Sequence, residues 1–251
     1  MVDHISVVMA VHNRIDHVRE ALQYWAMQTR RDFTLVVADD ASTDPIRELA
    51  LEYSSLFHVR HVYTGGSIPL KVAATLNVGT KVVPPETTHV WYTDGDLLFP
   101  PNAIENAYKH ISEHPGRVLA GRYDWLPESG KRAGARPDHR LRVHGENWFA
   151  NQLLDSCGGI LGANVIIPIK AWRDVGGWDE NIPGNNANDC DFGWCLTDAG
   201  YHLLTCDDIM GYHQWHPRNA KELSRYKESM PYIFRKHGLP VPEQYKEYDL
   251  A

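Results

Sequence analysis

The 251-residue sequence has few cysteines and no long apolar run. Its four cysteines form no Cys-x-x-Cys pair, which argues against a zinc site and favours buried free thiols at Cys157, Cys190, Cys195 and Cys206. No apolar run reaches the length of a membrane span, and the first residues enter a strand-like pattern without a basic, then apolar, leader. We therefore expect a cytoplasmic protein without a transmembrane segment, and peripheral membrane association through the last helix stays open.

An excess of basic residues is also lacking, because the net charge is -7 at pH 7. This balance argues against a large nucleic-acid footprint, so we expect no nucleic acid among the partners. The sequence also lacks internal repeats, low-complexity tracts and a convincing linker. A chain of this length can bury a substantial core, and one domain over residues 1–251 is the simplest interpretation.

Glycine-rich phosphate loops are missing as well. The first predicted strand is not followed by Gly-x-Gly-x-x-Gly, and Gly-Lys-Ser/Thr occurs nowhere. This excludes the dinucleotide fingerprint and the phosphate loop of ATPases. Any bound phosphate must therefore be neutralised by something else, and a metal ion held by acidic side chains is the candidate.

Hydrophobic patterns of two kinds alternate through the first hundred residues. Apolar runs typical of strands alternate with helical spacing, which predicts an α/β fold with a Rossmann-like, mostly parallel central sheet flanked by helices. Asn13 and Asp44 are the predicted N-caps of the first two helices. The predicted strands are 5–11, 34–38 and 57–63, and the predicted helices start at 13, 44 and 70.

The stretch that follows, residues 89–100, organises this prediction. A short apolar run ends in Asp94-Gly95-Asp96, which indicates a buried strand that delivers two carboxylates to the edge of the sheet. In open α/β sheets ligands bind beyond the carboxyl ends of the strands, where acids coordinate a cation or contact a ribose. Asp-x-Asp alone is more often a solvated turn, because Asp-Gly is a favoured turn pair.

The second half of the chain continues the alternation less regularly. Helices are predicted at 102–114, 146–154, 168–174, 188–199 and 221–237, and strands at 118–120, 158–167 and 201–206. Residues 122–142 break the pattern and concentrate six basic residues. This segment is either a solvated excursion or a mobile lid over an anionic ligand.

Five motifs in this order resemble the family-two glycosyltransferases with the GT-A fold, and the likeness covers roughly residues 4 to 216. The motifs are Met9-Ala10-Val11-His12-Asn13, Asp39-Asp40-Ala41-Ser42-Thr43-Asp44, Asp94-Gly95-Asp96 with Pro100, Gly176-Gly177-Trp178-Asp179-Glu180, and Asn188-Asp189-Cys190-Asp191. The resemblance implies a single GT-A domain with a nucleotide-binding half at 1–100, an acceptor-binding half at 101–218, and a C-terminal helix and tail at 219–251.

The resemblance also implies an activity: a glycosyltransferase of the hexosyltransferase type that uses a nucleotide-sugar donor, with a UDP-sugar favoured. Asp40 would contact the base, and backbone groups of Ala10 and Val11 would take the part of the family's missing Pro-Thr-Tyr. Asp94 would lie near the ribose and the metal ion. The acceptor is left open among a glycan, a lipid-linked sugar and a small molecule.

For the metal ion, the resemblance implies that Asp96 is the principal ligand and that His213 completes the shell, together with Asp94. Such a donor set suits Mn²⁺ and, less comfortably, Mg²⁺. His216, three residues away, is a rival to His213. The alternative for His213 itself is an ordinary histidine near a sheet edge.

On the acceptor side, Asp189 matches the family's catalytic base, and a helix start would keep its carboxylate ionised. Its alternative is a helix cap. Trp178, Asp179 and Asp191 are the predicted acceptor contacts, although a tryptophan after Gly-Gly is as often simple packing. The sequence departs from the family at Asn188, which replaces an acid, and at Cys195, where many relatives keep an arginine.

Three functions remain compatible with these motifs. The first is a metal-dependent inverting transferase that moves a sugar from the donor to a hydroxyl group. The second keeps the fold but retains the anomeric configuration. The third is a nucleotide- or sugar-binding module without turnover.

Overall fold

A computed structural model of the protein describes residues 3–65, 71–138, 151–217 and 222–249. The strands are β1 Ile5–Val11, β2 Phe33–Asp39, β3 His58–Tyr63, β4 His89–Asp94, β5 Leu97–Leu98, β6 Val118–Trp125, β7 Arg136–Pro137, β8 Leu153–Leu154, β9 Asn164–Pro168 and β10 Leu203–His213. The α-helices are α1 Ile15–Ala26, α2 Ile46–Tyr53, α3 Val72–Lys81, α4 Ala103–Glu113, α5 Ile169–Asp174, α6 Asn188–Asp198 and α7 Glu222–Lys236.

The strands form one sheet in the order β3-β2-β1-β4-β9-β6-β10-β5, with β7 on β6 and β8 on β10. The four strands β3, β2, β1 and β4 pair in parallel, as do β6 and β10. Antiparallel pairing enters through β9, which lies between β4 and β6, and through the short strands β5, β7 and β8. The predicted α/β architecture with a mostly parallel sheet flanked by helices is confirmed.

The core on one face of the sheet forms under α1. The helical spacing of Val18, Ala21, Leu22 and Trp25 buries all four side chains, as their pattern predicts. Trp25 meets Trp91 of β4 and Phe99 at ring-centroid distances of 5.5 and 5.0 Å. This aromatic cluster fixes the chain directly before and after Asp94-Gly95-Asp96. No helix of the described residues is long and apolar enough to cross a membrane.

The caps of the first two helices differ from the prediction because each one serves the other loop. Asn13 does not cap α1; its Oδ1 accepts hydrogen bonds from the backbone N–H groups of Thr43 and Asp44 at 2.7 and 3.2 Å. Asp44 in turn accepts the first amide of α1, Ile15 N–H, at 3.1 Å. Each side chain therefore bonds to the loop that contains the other, because the parallel β1–β2 pairing brings the two loops together. Local sequence cannot show this.

The second half departs further from the prediction. Strand β6 is eight residues long and continues to Trp125, so the irregular segment starts later than residue 122. Residues 153–154 pair with β10 instead of ending a helix, and the rest of that predicted helix up to residue 150 lies outside the described residues. Strand β9 starts at Asn164, and β10 runs on to His213 after a bulge between Cys206 and Met210. These strands are defined by their neighbours rather than by their own hydrophobic pattern.

The buried side chain of Asn164 ties four strands together behind this bulge. Its Oδ1 accepts the indole N–H of Trp91 at 3.0 Å, and its Nδ2 donates to the carbonyls of Arg122 and Ile209 at 3.0 and 2.9 Å. Gly121 permits the approach, because a Cβ there would lie 2.2 Å from the Ile209 carbonyl oxygen. This fully buried amide thus uses both of its donors and its oxygen.

Substitution of Asn164 by alanine is expected to lower the free energy of unfolding by about 4 kcal/mol, because three buried polar groups lose their partner. Denaturant unfolding measures this change. The exposed Asn102, which makes no side-chain cap bond, is the matched control and should change stability by less than about 0.5 kcal/mol as alanine. An equally small effect at Asn164 would contradict the assigned role.

Candidate active site

The candidate site lies where β1, β2 and β4 end. The parallel register pairs Ala10 with Asp94 and Val11 with Asp39, so the predicted donor-side residues meet at one edge of the sheet. The Ala10 carbonyl accepts Gly95 N–H at 3.0 Å, and the Val11 carbonyl accepts Asp40 N–H at 2.7 Å. The carboxylate of the buried Asp40 accepts the backbone N–H of Lys71 at 3.0 Å. Asp40 is therefore held in place by the chain entering α3.

Asp96 and two histidines from the end of the chain's last strand form a cluster beside this edge. Asp96 Oδ1 lies 3.5 Å from Nε2 of His213, and Oδ2 lies 3.5 Å from Nε2 of His216. One atom from each of the three residues lies within 4.8 Å of the others. Asp96 and His213 are buried, and His216 is half-buried. The structure thus brings both rival histidines to one carboxylate.

The hydrogen bonds of the two rings show which nitrogens carry protons. Nδ1 of His213 lies 2.8 Å from the carbonyl oxygen of Gln214, and Nδ1 of His216 lies 3.0 Å from that of Pro217. A carbonyl oxygen only accepts, so each Nδ1 is the donor, and a neutral ring in this tautomer has its lone pair on Nε2. Burial lowers the pKa of His213, which favours this neutral form, and Asp96 opposes that effect.

The cluster therefore places acceptors against acceptors. Two Nε2 lone pairs face the two oxygens of Asp96, and the buried Oδ1 finds no hydrogen-bond partner among the described residues. The Arg14 guanidinium partners Oδ2, but the unpartnered Oδ1 is costly unless a cation stands between it and the imidazoles. One carboxylate and two imidazoles suit a divalent transition metal, so the residues present fit a metal ion.

The backbone around the cluster holds it from two sides. His213 ends β10, where it pairs with Leu97 of β5, and the backbone N–H of Gln214 donates to the Asp96 carbonyl at 2.9 Å. The indole of Trp125, at the end of β6, stacks on the His213 ring at 3.7 Å between centroids. Three strand ends thus fix the ligand geometry, which is the support that metal-binding histidines require.

Arg14 and Trp125 are site residues that sequence reasoning missed. The Arg14 guanidinium lies 3.0 Å from Asp96 Oδ2, and its backbone has φ 58°, in the left-handed region. Asn13 before it has φ 55°. Two consecutive left-handed residues turn the chain so that Arg14 reaches Asp96, and the sequence carries no signal for this turn. Trp125 lay in the segment predicted to be irregular.

Asp189 lies at the same sheet edge on the other side of β4. It is the second residue of α6, and its carboxylate accepts N–H groups of Cys190 at 3.0 Å and Gly162 at 3.4 Å. Gly162 precedes Asn164, which pairs with Thr93 next to Asp94. The first turn of a helix stabilises a carboxylate, and Asp189 remains partly exposed. Asp189 thus lies close to the strand end that carries Asp94.

Two of the three predicted acceptor contacts, Trp178 and Asp191, are buried, and Asp179 is half-buried. Trp178 is buried, stacked on Phe192 at 4.0 Å and edge-on to Tyr92 at 5.1 Å between ring centroids, so its position agrees with the packing alternative. Asp191 is 1% exposed, and its oxygens contact Lys236 Nζ at 2.8 Å and His237 Nε2 at 3.0 Å. Asp179 also accepts from Lys236, at 2.9 Å. Helix α7 therefore connects both acids.

Lys236 carries this connection. Burial alone would lower the pKa of Lys236, but its hydrogen bonds to Asp191 and Asp179 raise the pKa above the ordinary value. Burial would raise the pKa of Asp179, yet Lys236 and the Asn181 N–H hold it below its usual range. The ammonium group of Lys236 and the carboxylate of Asp179 consequently remain charged together at neutral pH.

Substitution of Lys236 by methionine is expected to destabilise the fold by about 3 kcal/mol at pH 7, because the buried Asp191 loses its ammonium partner and keeps only His237. The lowered pKa of Asp179 means that its contribution is complete above the unfolded value of about 3.9 and is lost as the pH falls through the folded value. The stability difference from the wild type should therefore shrink below about pH 4.

Denaturant unfolding at several pH values measures this difference. The matched control is Lys170→Met, which removes an exposed i,i+4 pair with Asp174 and should change the free energy of unfolding far less than Lys236→Met does. A difference at Lys236 that does not vary with pH would contradict the electrostatic account.

The described part of the basic segment contacts the body of the protein. The Arg132 guanidinium lies 4.5 Å from the ring centroid of Tyr212 and donates to the Tyr24 hydroxyl at 2.9 Å, and Arg122 pairs with Asp207 at 3.0 Å. Residues 139–150, which include Arg140 and Arg142, lie outside the described residues. The lid over an anionic ligand stays a prediction.

The sequence of the chain matches the model of a known protein family. The model of glycosyl transferase family 2 matches residues 6–164, well over half of the chain. The chain belongs to glycosyl transferase family 2. The matched residues include β1, β2, β4 and Asp96, so the resemblance seen in the motifs is confirmed.

Curated relatives that match in sequence agree with this assignment. Validoxylamine A glucosyltransferase from Streptomyces hygroscopicus subsp. jinggangensis is 24% identical over 265 residues, which cover 95% of this chain and 62% of that protein. The chain spans 26%, 40% and 62% of the lengths of the first three curated relatives that it matches. Those relatives are therefore longer than this chain.

Solved structures share the fold. S. aureus TarS 1-349 in complex with UDP-GlcNAc matches with a TM-score of 0.71 at 16% identity, over 98% of this chain and 71% of that one. Mannosyltransferase PcManGT from Pyrobaculum calidifontis, in complex with GDP-Man and Mn²⁺, matches with a TM-score of 0.67 at 18% identity, over 97% of this chain and 67% of that one. The predicted GT-A architecture of family 2 is confirmed.

Proposed function

We propose that the protein is a metal-dependent, inverting glycosyltransferase that moves a sugar from a UDP-sugar to a hydroxyl of a glycan, lipid-linked sugar or small-molecule acceptor. The observation that carries the proposal is the cluster of Asp96, His213 and His216, in which two imidazole lone pairs face one buried carboxylate. It lies at the carboxyl edge of a parallel sheet, where ligands of α/β folds bind.

Asp96, His213 and His216 would hold the ion, for which Mn²⁺ fits a mixed nitrogen and oxygen donor set better than Mg²⁺. When bound, a divalent cation offsets the charge that develops on a departing diphosphate. Asp94, the last residue of β4, is proposed to lie toward the ribose and the ion. Arg14 supplies a further positive charge at Asp96.

The nucleotide is proposed to lie over the ends of β1 and β2. Asp40 would accept a hydrogen bond from the base, and the backbone of Ala10 and Val11 would border it. The complexes of TarS with UDP-GlcNAc and of PcManGT with GDP-Man support a nucleotide-sugar donor and leave the base to experiment. The preference for uracil rests on the resemblance of the Asp39-Asp40 motif.

Asp189 is proposed to accept the proton of the attacking hydroxyl. Asp191, two residues away, is unsuited to this role because it is buried and both of its oxygens contact cationic or hydrogen-bonding groups of α7 and His237. Asp189 is partly exposed at the start of α6, where it can be reached by a hydroxyl group of the acceptor. A single base opposite the leaving group is the arrangement that direct displacement with inversion requires.

For the acceptor, the structure divides the roles that the motifs suggested. We assign Trp178 and Asp191 to packing and positioning, since both are buried. Asp179 is half-buried and is the member of the three that we assign to contact with the acceptor.

A thermal-shift panel tests the donor and the metal together. UDP-, GDP- and dTDP-sugars are added with Mn²⁺, with Mg²⁺ and without metal, and we expect the UDP-sugar with Mn²⁺ to give the largest increase in Tm. At a hundredfold excess over Kd, the stabilisation is about 2.7 kcal/mol, or roughly 5–10 °C for a chain of this size. No shift with any nucleotide sugar, or the same shift without metal, would contradict the proposal.

Proton NMR of the first-formed product tests the stereochemistry. An anomer opposite to that of the donor supports inversion, and the same anomer indicates a retaining enzyme. Metal-dependent binding without transfer to a broad acceptor panel would favour a binding module.

A further inference from the structure

A second group of metal-binding side chains lies at the end of α4, away from the carboxyl edge of the sheet. His110, Glu113 and His114 each offer one ligand atom, and these atoms lie within 4.8 Å of one another. His110 and Glu113 lie one turn apart at the end of α4, and His114 is the C-cap residue, whose N–H donates to the His110 carbonyl at 2.9 Å. His110 is buried, His114 is half-buried and Glu113 is exposed, so the group opens to solvent on one side.

His110 is already oriented for this use by a carboxylate. Its Nε2 lies 2.6 Å from Oδ1 of Asp208, which belongs to the bulge of β10. Asn106, one helical turn earlier, donates to the Asp208 backbone carbonyl at 2.7 Å and holds the bulge against α4. A carboxylate that accepts a hydrogen bond from one ring nitrogen fixes the tautomer and leaves a lone pair on the other nitrogen.

The other nitrogen, Nδ1 of His110, is buried and finds no hydrogen-bond partner among the residues the structure describes. The whole residue is only 6% exposed. An unpartnered ring nitrogen at this depth is costly, and a bound ion would satisfy it. This orphaned atom is an observation independent of the grouping of the three side chains.

We propose that His110, Glu113 and His114 form a second metal site, specific for a divalent transition ion of the zinc type and oriented by Asp208. Two imidazoles and one carboxylate are a donor set that Zn²⁺ accepts, with a remaining position for water. The ion would join the end of α4 to the β10 bulge through His110 and Asp208. The site does not depend on the proposed transferase function, because it shares no residue with the Asp96 cluster.

The third group of potential ligands in the described chain, Asp191, Cys195 and His237, is a weaker candidate. Both Asp191 oxygens are engaged by Lys236 and His237, and burial raises the pKa of the Cys195 thiol, which disfavours the thiolate that a metal needs.

Titration of the full chain with Zn²⁺ tests the proposal, with stoichiometry measured by calorimetry and ligand type by the visible spectrum of the Co²⁺ form. His213→Ala, which disables the Asp96 cluster, should keep one equivalent of Zn²⁺ at the second site. His114→Ala should bind one equivalent fewer than the wild type. Asp208→Asn should weaken this site by about tenfold or more. The matched control is His58→Ala, an exposed histidine on β3.

The metal-free His114→Ala variant should melt at the same temperature as the metal-free wild type, which separates lost ligation from lost structure. Zn²⁺ should raise the melting temperature of His213→Ala but not that of a variant carrying both substitutions. If His114→Ala binds as many equivalents as the wild type, or if His213→Ala alone abolishes Zn²⁺ binding, the second site does not exist.

Discussion

Substitution of Asp189 by asparagine is expected to lower kcat by roughly 10²–10⁴-fold, the range that general-base catalysis supplies. Asparagine keeps the size of the side chain and one oxygen, which can accept one of the two N–H groups that Cys190 and Gly162 donate to the separate carboxylate oxygens, but it cannot accept a proton. Initial rates of sugar transfer measure the effect. The Kd for the donor should remain unchanged, because Asp189 lies in α6 and contacts Gly162 before β9, and not the ends of β1 and β2 over which the nucleotide is proposed to lie.

The matched control for this prediction is Asp198→Asn. Asp198 is the last residue of the same helix and is exposed, so its substitution should leave kcat within about twofold. Transfer that survives in Asp189→Asn at an unchanged donor Kd would remove Asp189 from the mechanism. Transfer that also fails in Asp198→Asn would instead point to damage of α6.

Substitution of Asp96 by asparagine is expected to abolish tight Mn²⁺ binding and to lower transfer by roughly 10²–10³-fold, because a metal ion contributes several kcal/mol to a charged transition state. The neutral amide replaces the only carboxylate of the Asp96 cluster in the described structure, and the two histidines cannot compensate its charge. Mn²⁺ titration followed by electron paramagnetic resonance gives the affinity, and removal of the metal from the wild type by a chelator should reproduce the loss of activity.

The control for Asp96 is Asp16→Asn, an exposed acid in the first turn of α1. It should bind Mn²⁺ as the wild type does. If Asp96→Asn retained Mn²⁺ affinity, or if chelators left turnover intact, the assignment of the cluster would be wrong. Loss of folding is not expected. Among the described residues, Arg14 donates to Oδ2 of Asp96, and Oδ1 has no hydrogen-bond partner to lose.

The structure also explains why the two sides of the site remain in register. Strand β4 presents Asp94 and Asp96, and its antiparallel neighbour β9 begins next to Thr93 and is preceded by Gly162, the partner of Asp189. Asn164 links β9 to Trp91 of β4 and to the β10 bulge. A change in this buried amide would therefore affect both the proposed metal ligands and Asp189.

Prediction from sequence worked best where a segment is buried on both faces. Strands β1, β2 and β4 are nearly continuous apolar runs, and their ends are marked by Asn13, Asp39 and Asp94. Such runs have one stable location in an α/β fold, the centre of the sheet. The predicted caps of α1 and α2 are wrong because Asn13 and Asp44 accept hydrogen bonds from loops about thirty residues away in the sequence.

The amino-acid sequence by itself determined the parallel half of the sheet, the family, and the acids placed at the strand ends, because hydrophobic periodicity and short motifs are local properties of the chain. Only the tertiary structure decided that His216 joins His213 at Asp96, that Arg14 reaches the same carboxylate, and that Asp191 is committed to α7 while Asp189 remains partly exposed. Each of these depends on contacts between segments far apart in the chain, whose distances are set by strand pairing and by the β10 bulge rather than by neighbouring residues.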